Sequence, residues 1–167
     1  GAISLALYSR EKTGKGQLVE LSLYGNGMWI AGIDVQGALV YNMELGRQSR
    51  FTVGNPLYNT YAAKDDKWFM FQMLQTDRFW PGVCKSVGRE DWLTKYPTHG
   101  DRCKASGELI KLLDAEFAKH PRDYFAPRFD ENGLIWAPAQ TPTEVIKDPV
   151  AIENGYIIED EHFGYGK

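Results

Sequence analysis

The sequence predicts an α+β fold, with a small, mostly antiparallel sheet and helices packed on it. Strand-like segments at 58–63 and 67–73 flank the turn-forming cluster Lys64-Asp65-Asp66 and predict a β-hairpin. A short apolar segment, 134–137, predicts one more strand. Between these segments, apolar residues recur every three or four positions, which is the spacing of helices with one buried face. The second hairpin segment is apolar on both faces, so we expect a central strand covered on both sides.

Helix boundaries in the second half of the chain carry clear signals. Thr76 or Asp77 is expected to cap a helix that ends near Gly88. Ser106 is expected to cap another that ends before Pro121, and 123–129 adds a further helical turn. The segment 141–144, Thr-Pro-Thr-Glu, combines a capping box with proline at the first helical position and predicts a helix start.

The two ends of the chain are less regular. Residues 1–9 have helical apolar spacing up to a charged, glycine-containing turn at 10–16. A short strand is predicted over 17–23 and a glycine-rich helix over 24–40, followed by a polar loop up to residue 55. Residues 156–163 alternate weakly, like a strand. Because the first helix begins without a capping residue, we expect an internal piece of a longer polypeptide, the alternative being a trimmed complete domain.

The composition and charge of the chain exclude several classes of function. The 167 residues are 43% hydrophobic and 25% charged, as in an ordinary soluble domain. A net charge of −3 argues against a nucleic-acid surface and makes an anionic membrane an improbable partner. No apolar run is long enough to cross a bilayer. With no signal peptide visible, we expect a cytoplasmic protein with reduced thiols.

Recognisable catalytic and metal-binding motifs are missing from the sequence. The two cysteines, Cys84 and Cys103, cannot make a four-ligand metal site, and we expect a buried residue and a loop thiol instead of a disulfide. His99 and His120 are expected to face solvent, and His162 lies in an acidic segment. There is no dinucleotide fingerprint, nucleophile-elbow serine, HExxH or CxxC. From the residues alone, the chain is an α+β domain of unknown function.

Three segments nevertheless resemble the family III CoA-transferases, a superfamily that includes formyl-CoA and carnitine CoA-transferases and α-methylacyl-CoA racemase. The first joins an apolar helix to a basic Thr-Gly-Lys-Gly-Gln turn, the second is the hairpin, and the third is an Ile-Trp-Ala-Pro-Ala-Gln stretch with the helix starts after it. They cover, in the family's order, residues 1–23, 55–68 and 135–156.

The resemblance implies a place for each segment within a two-domain enzyme. Residues 1–45 would be a helix-strand-helix lead-in from the large-domain side, 46–140 the small α+β domain, and 141–167 the return segment. The family's catalytic aspartate would precede Gly1, so no catalytic residue and no metal ligand is expected in this chain. Such chains thread through each other in pairs, so the expected partner is the remainder of the large domain or a second copy.

The resemblance also implies a reaction and candidate site residues. The complete enzyme would move CoA between carboxylic acids through an aspartyl anhydride and an enzyme thioester, using a CoA thioester as substrate and no tightly bound cofactor. Asn55, Tyr58 and Gln75 are candidates for lining the acyl end of the pocket. Their structural alternatives are loop capping for Asn55, a hairpin ring for Tyr58 and a helix N-terminal contact for Gln75.

Two other functions stay open. One is a fragment of an α-methylacyl-CoA racemase, in which a glutamate follows the second hairpin strand as acid or base. Thr76 stands at that position, and Asp77 could replace the glutamate only with a one-residue shift. The other is a non-catalytic, stand-alone interaction module derived from the family. The expected exposure of Ile3, Leu7, Ile157 and Phe163 favours self-association of the isolated chain.

Overall fold

A computed structural model describes residues 1–42, 49–160 and 164. The chain divides into two compact units, residues 1–47 and 48–167. The second unit contains the sheet, the helices of the second half of the chain and the candidate site.

Residues 1–42, the described part of the first unit, form three helices: α1 (Ala2–Thr13), α2 (Leu23–Ile30) and α3 (Gly32–Tyr41). Helix α1 ends at Gly14, whose φ of 68° is the left-handed conformation that suits glycine. The hydroxyl of Ser22 caps α2 by accepting a hydrogen bond from Gly25 N at 2.9 Å. The start of the chain is helical, as predicted, but α1 continues to Thr13 and so includes the first four residues of the turn predicted at 10–16.

Two predictions for the first unit are wrong. Residues 17–22 do not form a strand, because a strand needs a hydrogen-bonded partner and residues 1–42 contain no other strand. The single helix predicted over 24–40 is divided at Ala31, which has φ −83° and ψ 19°. Glycines on both sides of this position lower the cost of the break.

The helices of the first unit bury none of their side chains within the described part of the unit. Leu23, Trp29, Ile30 and Ile33 are each more than 80% exposed. Ile3 and Leu7 on α1 are exposed as well, as expected. An apolar surface of this extent is typical of a segment that packs against another protein surface.

The second unit is built on a three-stranded antiparallel sheet. Its strands are β1 (Tyr58–Ala62), β2 (Trp68–Gln72) and β3 (Trp136–Pro138), in the order β1-β2-β3. The predicted hairpin and the central position of its second strand are confirmed. The expectation that both faces of β2 are covered is wrong at Trp68, which is 40% exposed.

In the part of the chain that the structure describes, the second unit also contains seven helices. They are α4 (Thr76–Val87), α5 (Trp92–Lys95), α6 (His99–Lys104), α7 (Ser106–Phe117), α8 (Arg122–Glu131), α9 (Pro142–Val145) and α10 (Pro149–Glu153). Helix α4 ends at Gly88 in the left-handed conformation, as predicted. The predicted capping box joins Thr141 to Glu144 at the start of α9. Ser106 is not a cap, since its hydroxyl donates instead to Val53 O at 2.5 Å.

The core of the second unit is aromatic and lies between the sheet and helices α7 and α8. Phe117 on α7 meets Tyr61 and Phe69 edge-on, with ring centroids 5.1 and 4.9 Å apart. Phe125 and Phe129 on α8 complete this cluster. Edge-to-face pairs of this kind add to the energy that burial of the rings contributes.

The end of the chain differs from its prediction. Residues 156–160 follow α10 without forming a strand, and Ile157 is 38% exposed. His162 and Phe163 lie outside the described residues. No helix in the described part of the chain is long and apolar enough to span a membrane.

Candidate functional site

The three candidate residues lie at the open end of the hairpin. Asn55 precedes β1, and its side chain links the two strands: Nδ2 donates to Met73 O at 3.0 Å, and Oδ1 accepts from Leu57 N at 2.8 Å. Tyr58 begins β1 and pairs with Gln72 at the end of β2. Gln75 follows closely after that strand. The fold therefore places the three residues at one end of the sheet, although they are separated in sequence.

The three side chains differ in their exposure and in their hydrogen bonding. Tyr58 is 48% exposed and Gln75 is exposed, and Gln75 makes no side-chain capping bond to α4. The Asn55 amide is engaged with the backbone on both of its polar atoms, as a loop-capping residue is. Tyr58 and Gln75 can contact a ligand without breaking a hydrogen bond that the structure shows. Their role at an acyl pocket stays a prediction.

A buried charge organises the region beside this end of the sheet. Arg102 on α6 is fully buried, and its guanidinium pairs with the exposed carboxylate of Asp77. It also donates to Tyr96 O at 2.9 Å and to Thr76 Oγ1 at 3.0 Å. Because a buried cation needs a partner and hydrogen bonds, these contacts bind α6 to the start of α4. Asp77 thus has a structural partner at the helix N-terminus.

The same threonine connects Arg102 to a histidine and a thiol. Thr76 Oγ1 lies 2.7 Å from His99 Nδ1, and His99 Nε2 lies 3.4 Å from the sulfur of Cys103. His99 and Cys103 are four residues apart on α6, so one helical face presents both side chains. His99 is exposed, as expected, and Cys103 is partly exposed. The sulfur also lies 3.8 Å from His99 Nδ1, so it rests over the face of the imidazole ring and off the lone-pair axis of both nitrogens.

The two thiols have different surroundings. Cys84 is buried in the core, and burial raises its pKa to about 12. Both cysteines are free, as predicted, but Cys103 lies on a helix and not in a loop. Among residues 1–42 and 49–160, no group of three potential metal ligands is close enough to hold a metal ion.

A polar cavity of about 340 Å³ lies at the C-terminal end of α4, next to α7 and α8. Glu116, which is nearly buried, accepts from Arg89 at 3.1 Å and also pairs with Lys119. Lys85 and Arg128 line the same cavity. The basic side chains that line this cavity outnumber its one carboxylate, Glu116, which already pairs with Arg89 and Lys119.

The sequence analysis did not predict that Thr76, Asp77 and His99 lie together around Arg102. A capping box, Thr98 with Asp101, begins α6, and this signal could have shown that His99 and Cys103 share a helix. No local pattern marks Arg102 as buried, because charged side chains in short helices are usually exposed.

The fold of the chain matches known structures. A CAIB/BAIF family protein from Brucella suis is similar with a TM-score of 0.82 at 19% identity, over 99% of this chain and 46% of that one. The Rv3272 protein of M. tuberculosis is similar with a TM-score of 0.69 at 19% identity, over 95% of this chain and 41% of that one. At these identities the likeness concerns the fold.

Sequence comparison adds the family. The model of CoA-transferase family III matches residues 1–166, and the chain belongs to that family. Succinyl-CoA:glutarate CoA-transferase of Homo sapiens is 24% identical over the whole chain, which covers 38% of that protein. Cinnamoyl-CoA:phenyllactate CoA-transferase of Clostridium sporogenes is 27% identical over 91% of the chain and 38% of that protein. The chain thus spans about two-fifths of the length of these relatives.

Proposed function

We propose that this chain is part of an enzyme that transfers CoA between two carboxylic acids, with the catalytic aspartate outside this chain. The match to the family over residues 1–166 carries the proposal. The names of several relatives support it, since they describe transfer of CoA from an acyl-CoA to another acid. That the chain covers under two-fifths of those relatives supports a fragment role.

The chemistry of such a transfer is covalent. A carboxylate attacks the acyl-CoA thioester, which forms a mixed anhydride and releases CoA as a thiolate. The thiolate then attacks the anhydride at the enzyme's carbonyl, which frees the first acid and leaves an enzyme thioester. The second acid attacks the carbonyl of this thioester, which forms a second mixed anhydride and releases the CoA thiolate. The thiolate then attacks the acyl carbonyl of that anhydride, which forms the new acyl-CoA and frees the enzyme's carboxylate. Because anhydrides hydrolyse, the site must exclude water.

We assign this chain a part in enclosing the acyl group. Tyr58 and Gln75 have side chains free to contact an acyl group at the open end of the hairpin. Asn55 would act by holding the two strands of that end together. The substrate of the complete enzyme is a CoA thioester, and neither a metal nor a tightly bound cofactor takes part.

The partner would be the remainder of the large domain, or a second copy of the chain. Support comes from the first unit, whose helices leave their apolar side chains exposed. Burial of that surface would contribute roughly 25 cal/mol per Å² of apolar area.

A transferase fits the residues after β2 better than a racemase does. Thr76 cannot exchange a proton with an α-carbon at neutral pH, and its hydroxyl is buried beside Arg102. The Asp77 carboxylate pairs with the same guanidinium and is held in that ion pair at the start of α4. Thr76 and Asp77 therefore both have a structural role at the start of α4.

The test begins with the gene. The proposal expects an open reading frame upstream of the Gly1 codon that encodes a nucleotide-fold half with an aspartate shortly before Gly1. The product of that frame should transfer CoA to a carboxylic acid, and replacing the aspartate by asparagine should abolish transfer. A start signal directly before Gly1, or transfer by the 167-residue chain alone, would contradict the proposal. The start signal would favour the stand-alone module.

The same product distinguishes transferase from racemase. In deuterium oxide, a 2-methylacyl-CoA should keep its α-hydrogen while CoA transfer proceeds. Rapid α-deuteration that is lost in Asp77→Asn would establish the racemase instead.

A further inference from the structure

We propose that the polar cavity beside α4, α7 and α8 binds the phosphate group of a small anion through Arg128 and Lys85. The proposal rests on residues of the second unit alone, and it adds a binding site to the CoA transfer proposed for the complete enzyme.

The cavity concentrates positive charge in a chain that is acidic as a whole. Among the described residues, its lining includes four basic side chains and one carboxylate, whereas the whole sequence has a net charge of −3. The basic side chains are those of Lys85, Arg89, Lys119 and Arg128. The volume of about 340 Å³ lies within the range of small-molecule sites, so a phosphate group and a small organic substituent fit together.

Two of the four cations keep their charge available for a ligand. Arg89 pairs with Asp91 at 2.8 Å and with Glu116 at 3.1 Å, and Lys119 also pairs with Glu116. No ion pair of the described residues involves Lys85 or Arg128. A phosphate monoester carries up to two negative charges at neutral pH, so two unpaired cations match it better than they match a single carboxylate.

The Arg128 guanidinium is held in place before a ligand binds. Its Cζ lies 3.6 Å from the centroid of the Tyr124 ring, and its Nη1 donates to Tyr124 O at 2.7 Å. His120 stacks on the same ring with centroids 3.9 Å apart, and two groups this close must occupy opposite faces. Nε and Nη2 of Arg128 make no hydrogen bond among the described residues. They can therefore donate the two parallel bonds by which a guanidinium binds phosphate.

Helix packing brings Lys85 and Arg128 to one cavity. The Oγ of Ser86, the residue after Lys85, lies 3.2 Å from Arg128 O and so joins α4 to α8. Each cation lies in the last turn of its helix, where the helix dipole favours positive charge. The dipoles account for a cation on each helix, but they do not account for two helices directing theirs into the same cavity.

The cavity adjoins the turn of the hairpin. His120, which lines it, accepts a hydrogen bond through its backbone oxygen from Lys64 N of that turn at 3.0 Å. Tyr58 and Gln75 lie at the other end of the hairpin, and a strand of five residues such as β1 is about 17 Å long. A small ligand in the cavity therefore does not contact the candidate acyl residues, so the proposal can fail without affecting the proposed transferase function.

The test is equilibrium dialysis of the 167-residue chain with ³²P-labelled inorganic phosphate at neutral pH, with sodium chloride keeping the ionic strength constant. We expect saturable binding with a dissociation constant below about 1 mM. Glycerol 3-phosphate should displace the label. Tighter binding of this ester than of phosphate would identify an ester as the ligand, and weaker binding would identify free phosphate. Absence of saturable binding, or of displacement, would overturn the proposal.

Variants test the two groups separately. Arg128→Gln should weaken binding at least about tenfold, and Arg128→Lys should lie between it and the parent because it keeps the charge but loses the paired donors. Lys85→Gln should weaken binding about threefold, since an exposed cation contributes less. Glu116→Gln should strengthen binding, because it removes the carboxylate of the cavity.

Lys111→Gln is the matched control, because Lys111 is exposed on α7 and does not line the cavity. It should bind phosphate like the parent chain, and urea unfolding checks that each variant is folded. Lys85→Gln provides the result if Arg128→Gln does not fold. Equal affinity of the parent and a folded Arg128→Gln variant, or equal losses in Lys85→Gln and Lys111→Gln, would contradict a site at this cavity.

Discussion

The aromatic core provides the sharpest test of the packing in the second unit. Phe117 is fully buried where α7 crosses the sheet. Its ring lies 4.9 Å from that of Phe69, 5.1 Å from Tyr61 and 5.2 Å from Phe125, in each case edge to face. Replacing Phe117 by alanine removes the shared member of all three pairs.

The magnitude follows from burial and from the cavity left behind. Complete burial of a phenylalanine side chain is worth about 1.5–3 kcal/mol, and the cavity raises the cost of Phe→Ala to about 3–5 kcal/mol. Phe117 also meets Phe71 and Phe129 edge to face, at 5.9 and 6.0 Å, so five such pairs are lost and Phe117→Ala falls toward the middle or top of that range, at about 4 kcal/mol. Phe117→Leu keeps most of the volume and should cost about 1.5 kcal/mol.

The assay is urea unfolding followed by tryptophan fluorescence. Four of the five tryptophans belong to the second unit, so the signal reports mainly on that unit. Phe51→Ala is the matched control, because Phe51 is 45% exposed and should cost about 0.5 kcal/mol or less. If Phe117→Ala costs no more than Phe51→Ala, the packing of α7 on the sheet is wrong.

Three further predictions concern helix packing, pH and association. Gly82→Ala should lower the free energy of unfolding in urea by about 1–2 kcal/mol, because the new Cβ would lie 2.9 Å from Leu134 Cδ2. Gly27→Ala is the control and should be neutral or stabilising, because the space around Gly27 is open. Equal effects of the two substitutions would contradict the close packing at Gly82. Hydrogen bonding from Thr141 N lowers the pKa of Glu144. The difference in free energy of unfolding between the parent chain and Glu144→Gln should therefore be greatest above pH 4.5 and should shrink as the pH falls through the lowered pKa. A difference that stays constant down to pH 2 would contradict this prediction. The isolated chain should self-associate as its concentration rises, as sedimentation can show; a monomer at every concentration would argue against the exposed apolar helices as a contact surface.

The elements that could be predicted carry their signals locally. The hairpin has alternating strands and a turn of Lys64-Asp65-Asp66, and β2 is central because it is the most apolar. The end of α4 at Gly88 and the start of α9 at Thr141 each follow from one residue's backbone or hydrogen-bonding preference. Such preferences act within a few residues and do not depend on the rest of the fold.

The elements that could not be predicted depend on distant partners. The segment 17–22 has the alternation of a strand but no strand to pair with among residues 1–42. Ser106 has the chemistry of a cap, yet Val53 O, 53 residues away in sequence, takes its hydroxyl. In both cases a tertiary contact, or the lack of one, outweighs a local preference worth about 1 kcal/mol.

For the site, the sequence by itself determined the family resemblance and which residues follow the hairpin strands. That Asn55, Tyr58 and Gln75 share one end of the sheet required the pairing of β1 with β2. The contact of Thr76, His99 and Arg102 was decided only by the tertiary structure, which brings the start of α4 to α6. The physical reason is the buried guanidinium: once Arg102 is enclosed, its two terminal nitrogens need acceptors, and Tyr96, Thr76 and Asp77 supply them from segments that no local pattern connects.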